Sequence, residues 1–276
     1  MNLIEVKDLR KVYRIDQERV VALNRVNLAI GEGEVCCILG TSGSGKSTLL
    51  NIMAGLEKPT RGQVLIGGED ITAMGERQLA LFRQKNIGFI FQSYNLMPTL
   101  TAVENVAMPL MFRGMGKRER NKRAKVMLKA VGLGKRMKHK PTQMSGGQQQ
   151  RVGIARAFVA RPKIVFADEP TGNLDSHTTI EVMEMIVKMS REHGETLILV
   201  THDREIACYA DRIVHLVDGN IVSDTPNQSV IGQSEPASGK PASPETVSEA
   251  GEGAESAAPD ENPPAAGGQQ TPLAAI

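Results

Sequence analysis

The stretch Gly40-Thr41-Ser42-Gly43-Ser44-Gly45-Lys46-Ser47-Thr48 constrains this chain more than any other. It fits the pattern G-x-x-x-x-G-K-[ST], with Gly40, Gly45, Lys46 and Ser47 on the fixed positions. The apolar, partly β-branched run Val35-Cys36-Cys37-Ile38-Leu39 before it reads as a buried strand. The run Leu49-Leu50-Asn51-Ile52-Met53-Ala54-Gly55 after it reads as a helix ending at a glycine. Strand, glycine-rich loop and helix together turn backbone N–H groups and the positive helix end onto one point, which suits a phosphate. Lys46 is expected to reach the β- and γ-phosphates of a nucleotide, and Ser47 to set its hydroxyl on Mg2+.

Around this loop the chain alternates between strand and helix signals. Leu3–Leu9 and Val20–Ile30 carry period-two stretches and predict an N-terminal β-structure. Gln63–Ile71 reads as two short strands about Gly67-Gly68, residues 76–84 as a helix, and Ile87–Phe91 as a buried strand ending at Gln92. From about residue 93 to 160 strand signals vanish, and Leu100–Met115 and Arg118–Val131 suit helices, as an inserted helical subdomain would. Alternation then resumes: strand Ile164–Ala167, helix Ser176–Arg191, strand Thr196–Val200, a short helix at 204–209, and a hairpin about Asp218-Gly219. Strands separated by helices imply a largely parallel sheet with its ligand at the carboxyl ends of the strands.

Composition sets limits. With 41% hydrophobic and 23% charged residues the chain can bury a sizeable core, built on Leu, Ile, Val and Met because there is no Trp. No apolar run reaches the about 18 residues that would suggest a membrane span. The start Met1–Lys7 lacks a signal-peptide form, so a cytosolic location is expected. Cys36, Cys37 and Cys208 lack metal-site spacing and read as reduced, structural thiols. From Thr225 to Ile276 seven acids face one base, Lys240, giving −6 there and +8 elsewhere. That segment is Pro, Ala, Gly, Ser and Glu with few large apolar residues and is expected to be a disordered tail, leaving one folded domain over 1–224. The basic runs Arg118–Lys125 and Lys135–Lys140 read as a solvated helix face and loop, or as contacts for anionic headgroups or an acidic partner. The body charge does not by itself argue for nucleic acid.

Two further motifs narrow the chemistry. Ile164-Val165-Phe166-Ala167-Asp168-Glu169 puts two acids at the end of a buried strand, where Asp168 can hold Mg2+ and Glu169 can polarise a water as a general base. Met144-Ser145-Gly146-Gly147-Gln148 reads as a capped helix start whose glycines let N–H groups approach a second phosphate.

Here the chain resembles the ATP-binding cassette (ABC) family, whose signature is typically Leu-Ser-Gly-Gly-Gln; Met144 replaces the Leu. The resemblance spans about residues 3–224. It implies a P-loop ATPase fold with a mostly parallel core sheet, an N-terminal antiparallel β-subdomain and a helical insert at about 93–160. Its ligands are ATP and Mg2+. It implies that Gly40 to Thr48 bind ATP, that Ser47, Gln92 and Asp168 hold Mg2+, and that Glu169, His202, Lys46 and Gln92 act in hydrolysis. Ser145, Gly146, Gly147 and Gln148 would close over the ATP of a second copy, Asp175 would lie at that interface, and Tyr13 would stack on adenine. Within the family, Phe89–Val106 and Glu169–Asp175 look most like the lipoprotein-release, macrolide-export and cell-division subgroup (LolD, MacB and FtsE types). That likeness implies a separate membrane permease subunit and a peripheral place on the cytoplasmic face of the inner membrane. A regulator of an extracytoplasmic process without transport fits the same cassette. A nucleic-acid or ribosome-associated ATPase fits less well, because the chain carries neither long coiled-coil heptads nor a second cassette.

Overall fold

In the computed structural model, residues 2–15 and 18–227 are described. Two sheets stack with the phosphate loop at their junction. The first is antiparallel, ordered β2-β1-β4-β5, from β1 (Asn2–Ile15), β2 (Glu18–Gly31), β4 (Arg61–Ile66) and β5 (Glu69–Asp70). The second is ordered β10-β9-β3-β8-β7-β6. Its strands are β3 (Val35–Leu39), β6 (Ile87–Phe91), β7 (Ile164–Asp168), β8 (Thr196–Thr201), β9 (Arg212–Val217) and β10 (Asn220–Pro226). All neighbours in it are parallel except the closing β9–β10 hairpin. The alternating N-terminal stretches and the buried strands thus form as the sequence predicts.

Strand alternation divides the core in two. Val35, Cys37 and Leu39 face one side of the parallel sheet, with α5 (Gly146–Phe158) and α6 (Ser176–His193). Cys36 and Ile38 face the other, with α1 (Lys46–Met53) and the antiparallel sheet. Burial pushes both thiols up, Cys37 to about 12, so they stay protonated and inert.

The helical insert packs α3 (Ala102–Phe112) and α4 (Lys117–Ala130) against α5. The helix predicted from Leu100 starts two residues later because Thr101 caps it: its hydroxyl accepts from Glu104 N–H while Glu104 Oε2 accepts from Thr101 N–H. Buried Asn105 holds the preceding loop, donating to the carbonyls of Met97, Leu100 and Thr101 and accepting from Met97 N–H. On the surface, the basic run of α4 is mostly exposed.

The tail expected from 225 lies outside the described residues beyond Asn227. The folded body reaches further than that expectation, because Thr225 and Pro226 complete β10 opposite Ile213 and Arg212. Asn227 then donates its backbone N–H to Asp211 and its amide to Cys208 and Ala210 carbonyls.

Between α6 and β8, Glu195 is only 3% exposed, and neither carboxylate oxygen has a hydrogen-bond partner among the described residues. Burial pushes its carboxyl from 4.5 up to about 8, against the opposing pull of Arg161. The folded chain therefore keeps a proton that the unfolded chain releases. The associated destabilisation is absent below about pH 4.5 and grows as pH rises through about 8. Glu195→Gln is expected to gain thermal stability over the parent between about pH 6 and about pH 8.5, by a margin on the order of a few kcal/mol. Melting temperatures that run parallel across that range would contradict this assignment.

Candidate nucleotide site

Four parallel strands deliver the site residues to one edge. Leu39 pairs with Thr201, Val200 with Asp168, and Asp168 with Phe91. The residues that leave these strand ends are Gly40, His202, Glu169 and Gln92. A cavity of about 700 Å3 lies at this edge, lined by Thr41, Gly43, Gly45, Lys46, Ser47 and Thr48 of the loop, with Ala22, Gln92, Glu169 and His202. The loop feeds α1 directly, so the N-terminus of that helix also points here.

Lys46 is buried and its Nζ donates to the Thr41 carbonyl at 2.8 Å, spanning the loop it belongs to. The Ser47 hydroxyl donates to Asp168 Oδ1 at 3.4 Å. Burial first, and then the charge of Glu169, push the Asp168 carboxyl up, while the Ser47 bond and Lys46 act in the other direction. Ser47, Asp168 and Gln92 offer oxygen donors, the hard ligand type that Mg2+ takes. The residues present therefore fit that ion.

Glu169 stands at φ 45, a left-handed conformation that a non-glycine residue holds only under constraint. Its N–H donates to Val200 O at 2.9 Å, and Gly172 N–H closes a turn onto its carbonyl at 3.1 Å. Its carboxylate accepts from His202 Nδ1 at 2.8 Å and from the Thr201 hydroxyl at 3.4 Å. Both oxygens are thus oriented, with His202 itself well exposed. This arrangement can hold a water for attack on a phosphate in the cavity and take its proton.

After Gln92 the chain turns through Tyr94 and Asn95 at φ 59 and 46. Arg156 of α5 clamps the turn, donating to Tyr94 O at 2.9 Å and Asn95 O at 2.5 Å over the Phe91 ring. The amide of Asn173 donates to Gln92 O at 3.0 Å.

Other predicted residues stand apart. Ser145 caps α5, accepting from Gln148 N–H while Gln148 Oε1 accepts from Ser145 N–H, both at 3.3 Å. None of Ser145, Gly146, Gly147 or Gln148 lines the cavity. Tyr13 abuts the end of the loop without lining it; its hydroxyl donates to Glu57 Oε2 at 2.8 Å and lies 3.5 Å from Thr48 Oγ1. Asp175 caps α6, accepting from Thr178 N–H at 3.0 Å. Sequence reasoning missed Ala22, Thr201 and Arg156. Thr201 could have been found as the last residue of the strand that carries His202; nothing local marks the other two.

Comparison with known proteins places these features in context. A family model described as ABC transporter matches residues 23–172. The lipoprotein-releasing system ATP-binding protein LolD of Geobacter metallireducens is 49% identical over 223 residues, covering 81% of this chain and 99% of that protein. The macrolide export ATP-binding/permease protein MacB 1 of Yersinia pestis is 44% identical over 244 residues, 88% of this chain but 37% of that longer protein. Among solved structures, the dimeric post-hydrolysis state of the cassette MJ0796 bound to ADP and Pi is similar with a TM-score of 0.77 and 44% identity. The match covers 82% of this chain and 99% of that one.

Proposed function

This chain belongs to the ABC transporter family, and from that premise we propose that it is the ATPase subunit that drives a separate membrane permease from the cytoplasmic face of the inner membrane. ATP binding and hydrolysis are the family's activity, and the similar cassette MJ0796 is dimeric in its solved structures. Lys46 and the loop amides stabilise charge on the phosphates. Glu169, oriented by His202 and Thr201, takes the proton of the attacking water as the water oxygen bonds the γ-phosphorus and ADP leaves. Mg2+, when bound by Ser47, Asp168 and Gln92, supplies positive charge against the transferring phosphoryl group. The start of α5 in one copy completes the site of the other, with its N–H groups directed at the γ-phosphate.

One observation carries the coupling to a membrane partner. Strand β6 ends between two cavities. Phe89 and Phe91 line an apolar groove of about 610 Å3 with Leu81, Pro109 and Phe112. The next residue, Gln92, lines the nucleotide cavity. Leu81 and Phe112 are 59% and 63% exposed, an apolar face that needs a covering partner. A permease segment seated there would press on the strand end that carries Gln92. Among the described residues no helix is long and apolar enough to cross a membrane.

Tagged full-length chain, purified from detergent-solubilised membranes, is expected to bring a membrane protein with it. Phe112→Asp should abolish that capture while ATP binding by the isolated chain stays within about twofold, since the groove lies off the phosphate site. Undiminished capture by this variant would remove the groove as the docking surface.

A further inference from the structure

Gln150 is fully buried on α5, one and a half turns past Ser145, yet it makes no contact with the nucleotide cavity. Its amide Nε2 donates to the carbonyl of Pro170, the residue after Glu169. Its Oε1 is buried with no partner among the described residues. A buried, half-satisfied amide is costly, and an apolar side chain of the same shape would avoid that cost. The stability of the core therefore does not explain the choice of Gln here, whereas the single bond it makes does have a use.

That bond lands on the strained segment. Glu169 holds φ 45 through Val200 O and through the turn closed by Gly172, both backbone bonds of its own neighbourhood. Among the described residues, Gln150 is the side chain that reaches the Glu169–Pro170 backbone from another element. The same helix starts at the exposed Ser145, about 7.5 Å away along its axis. A helix of this length moves as a rigid body, so displacement at its start is carried to Gln150.

We propose that Gln150 is a positioning residue that links the two ATP sites of the dimer: closure of α5 over the partner's ATP sets Glu169 in its own site through the Gln150–Pro170 bond. This rests on the reading that the start of α5 meets the ATP of the second copy. Each site then becomes fully competent only when the other is occupied, and hydrolysis is cooperative in ATP.

The test uses full-length chain carrying Gln150→Met, an apolar near-isostere that removes both the donor and the orphan oxygen, so the fold should stand. Turnover is measured against ATP concentration, nucleotide binding by a fluorescent ATP analogue, folding by thermal unfolding, and ATP-dependent dimers in a Glu169→Gln background. The expected result is turnover lowered by about tenfold or more with ATP affinity within about twofold, and a Hill coefficient falling from about 2 toward about 1. Dimers of Glu169→Gln/Gln150→Met should still form. Unchanged cooperativity and turnover, or parallel loss of ATP binding and turnover in a folded variant, would overturn the link. Absence of ATP-dependent dimers in the Glu169→Gln parent would instead remove the two-copy reading itself.

Discussion

Glu169→Gln is expected to bind ATP as the parent does, to lose at least about 100-fold in turnover, and to accumulate as a closed dimer when ATP and Mg2+ are present. The amide keeps the shape of the carboxylate. Its oxygen can still accept from His202 Nδ1, which bonds Glu169 Oε1 at 2.8 Å in the parent. The backbone constraints on φ 45, from Val200 O and Gly172 N–H, do not involve the side chain. What the variant loses is the capacity to take a proton, and general-base removal costs about 10²–10⁴ in rate. It also removes one negative charge beside Asp168, where Glu169 helps push the carboxyl up. Less repulsion toward a bound γ-phosphate favours the closed state, which then cannot discharge by hydrolysis. Phosphate release and light scattering after gel filtration measure the two effects. Parental turnover would sink the role of Glu169 as base; lost turnover without any dimer would leave the base and remove the sandwich.

The elements of this fold were legible because their signals are local and periodic. The β3–loop–α1 unit, the alternating β1 and β2 and the Asp218-Gly219 hairpin each announce themselves within about ten residues. Gly40 and Glu169 were legible as candidates for the same reason, from the loop pattern and from the paired acids that end an apolar run, whereas Gln92 and His202 were assigned through the family resemblance. What the sequence could not show was the register that lines those four strand ends up, because pairing such as Leu39 with Thr201 joins residues 162 positions apart. Side chains that act across elements were equally silent. Arg156 on the Tyr94–Asn95 carbonyls and Gln150 on Pro170 sit in an ordinary polar-apolar helix pattern. Nothing local in the sequence marks Glu195, which lies buried between α6 and β8.

Gly45→Ala is expected to remove nucleotide binding almost completely, with a loss in ATP affinity of about 100-fold or more, although it adds a single methyl group. Gly45 holds φ 100, which costs an alanine on the order of 1–3 kcal/mol before any contact is counted. The contacts are worse. A Cβ here would stand 2.4 Å from the Ala22 carbonyl oxygen and 3.1 Å from Leu23 Cδ2. The first neighbour is backbone and cannot rotate away. Nor can β2 retreat freely at this point. Asn24 N–H donates to Gly219 O at 2.9 Å, and Gly219 N–H donates to Ser44 O at 3.0 Å, so strand, hairpin turn and loop are tied in one cycle. The loop must therefore lift, and its N–H groups, together with Lys46 and Ser47 next in the chain, leave the point on which they converge. A shift of about 1 Å is enough for the expected loss. Gly194→Ala separates the two contributions. Gly194 has φ 67 with nothing within 4 Å of an added Cβ, so that variant carries strain without collision. It should lose about 1 kcal/mol of stability and keep ATP affinity. Calorimetric ATP titration and thermal unfolding of both variants distinguish a loop displaced by Ala22 from a chain merely weakened: equal ATP affinity in the two would show that the close packing of β2 on the phosphate loop does not hold its shape.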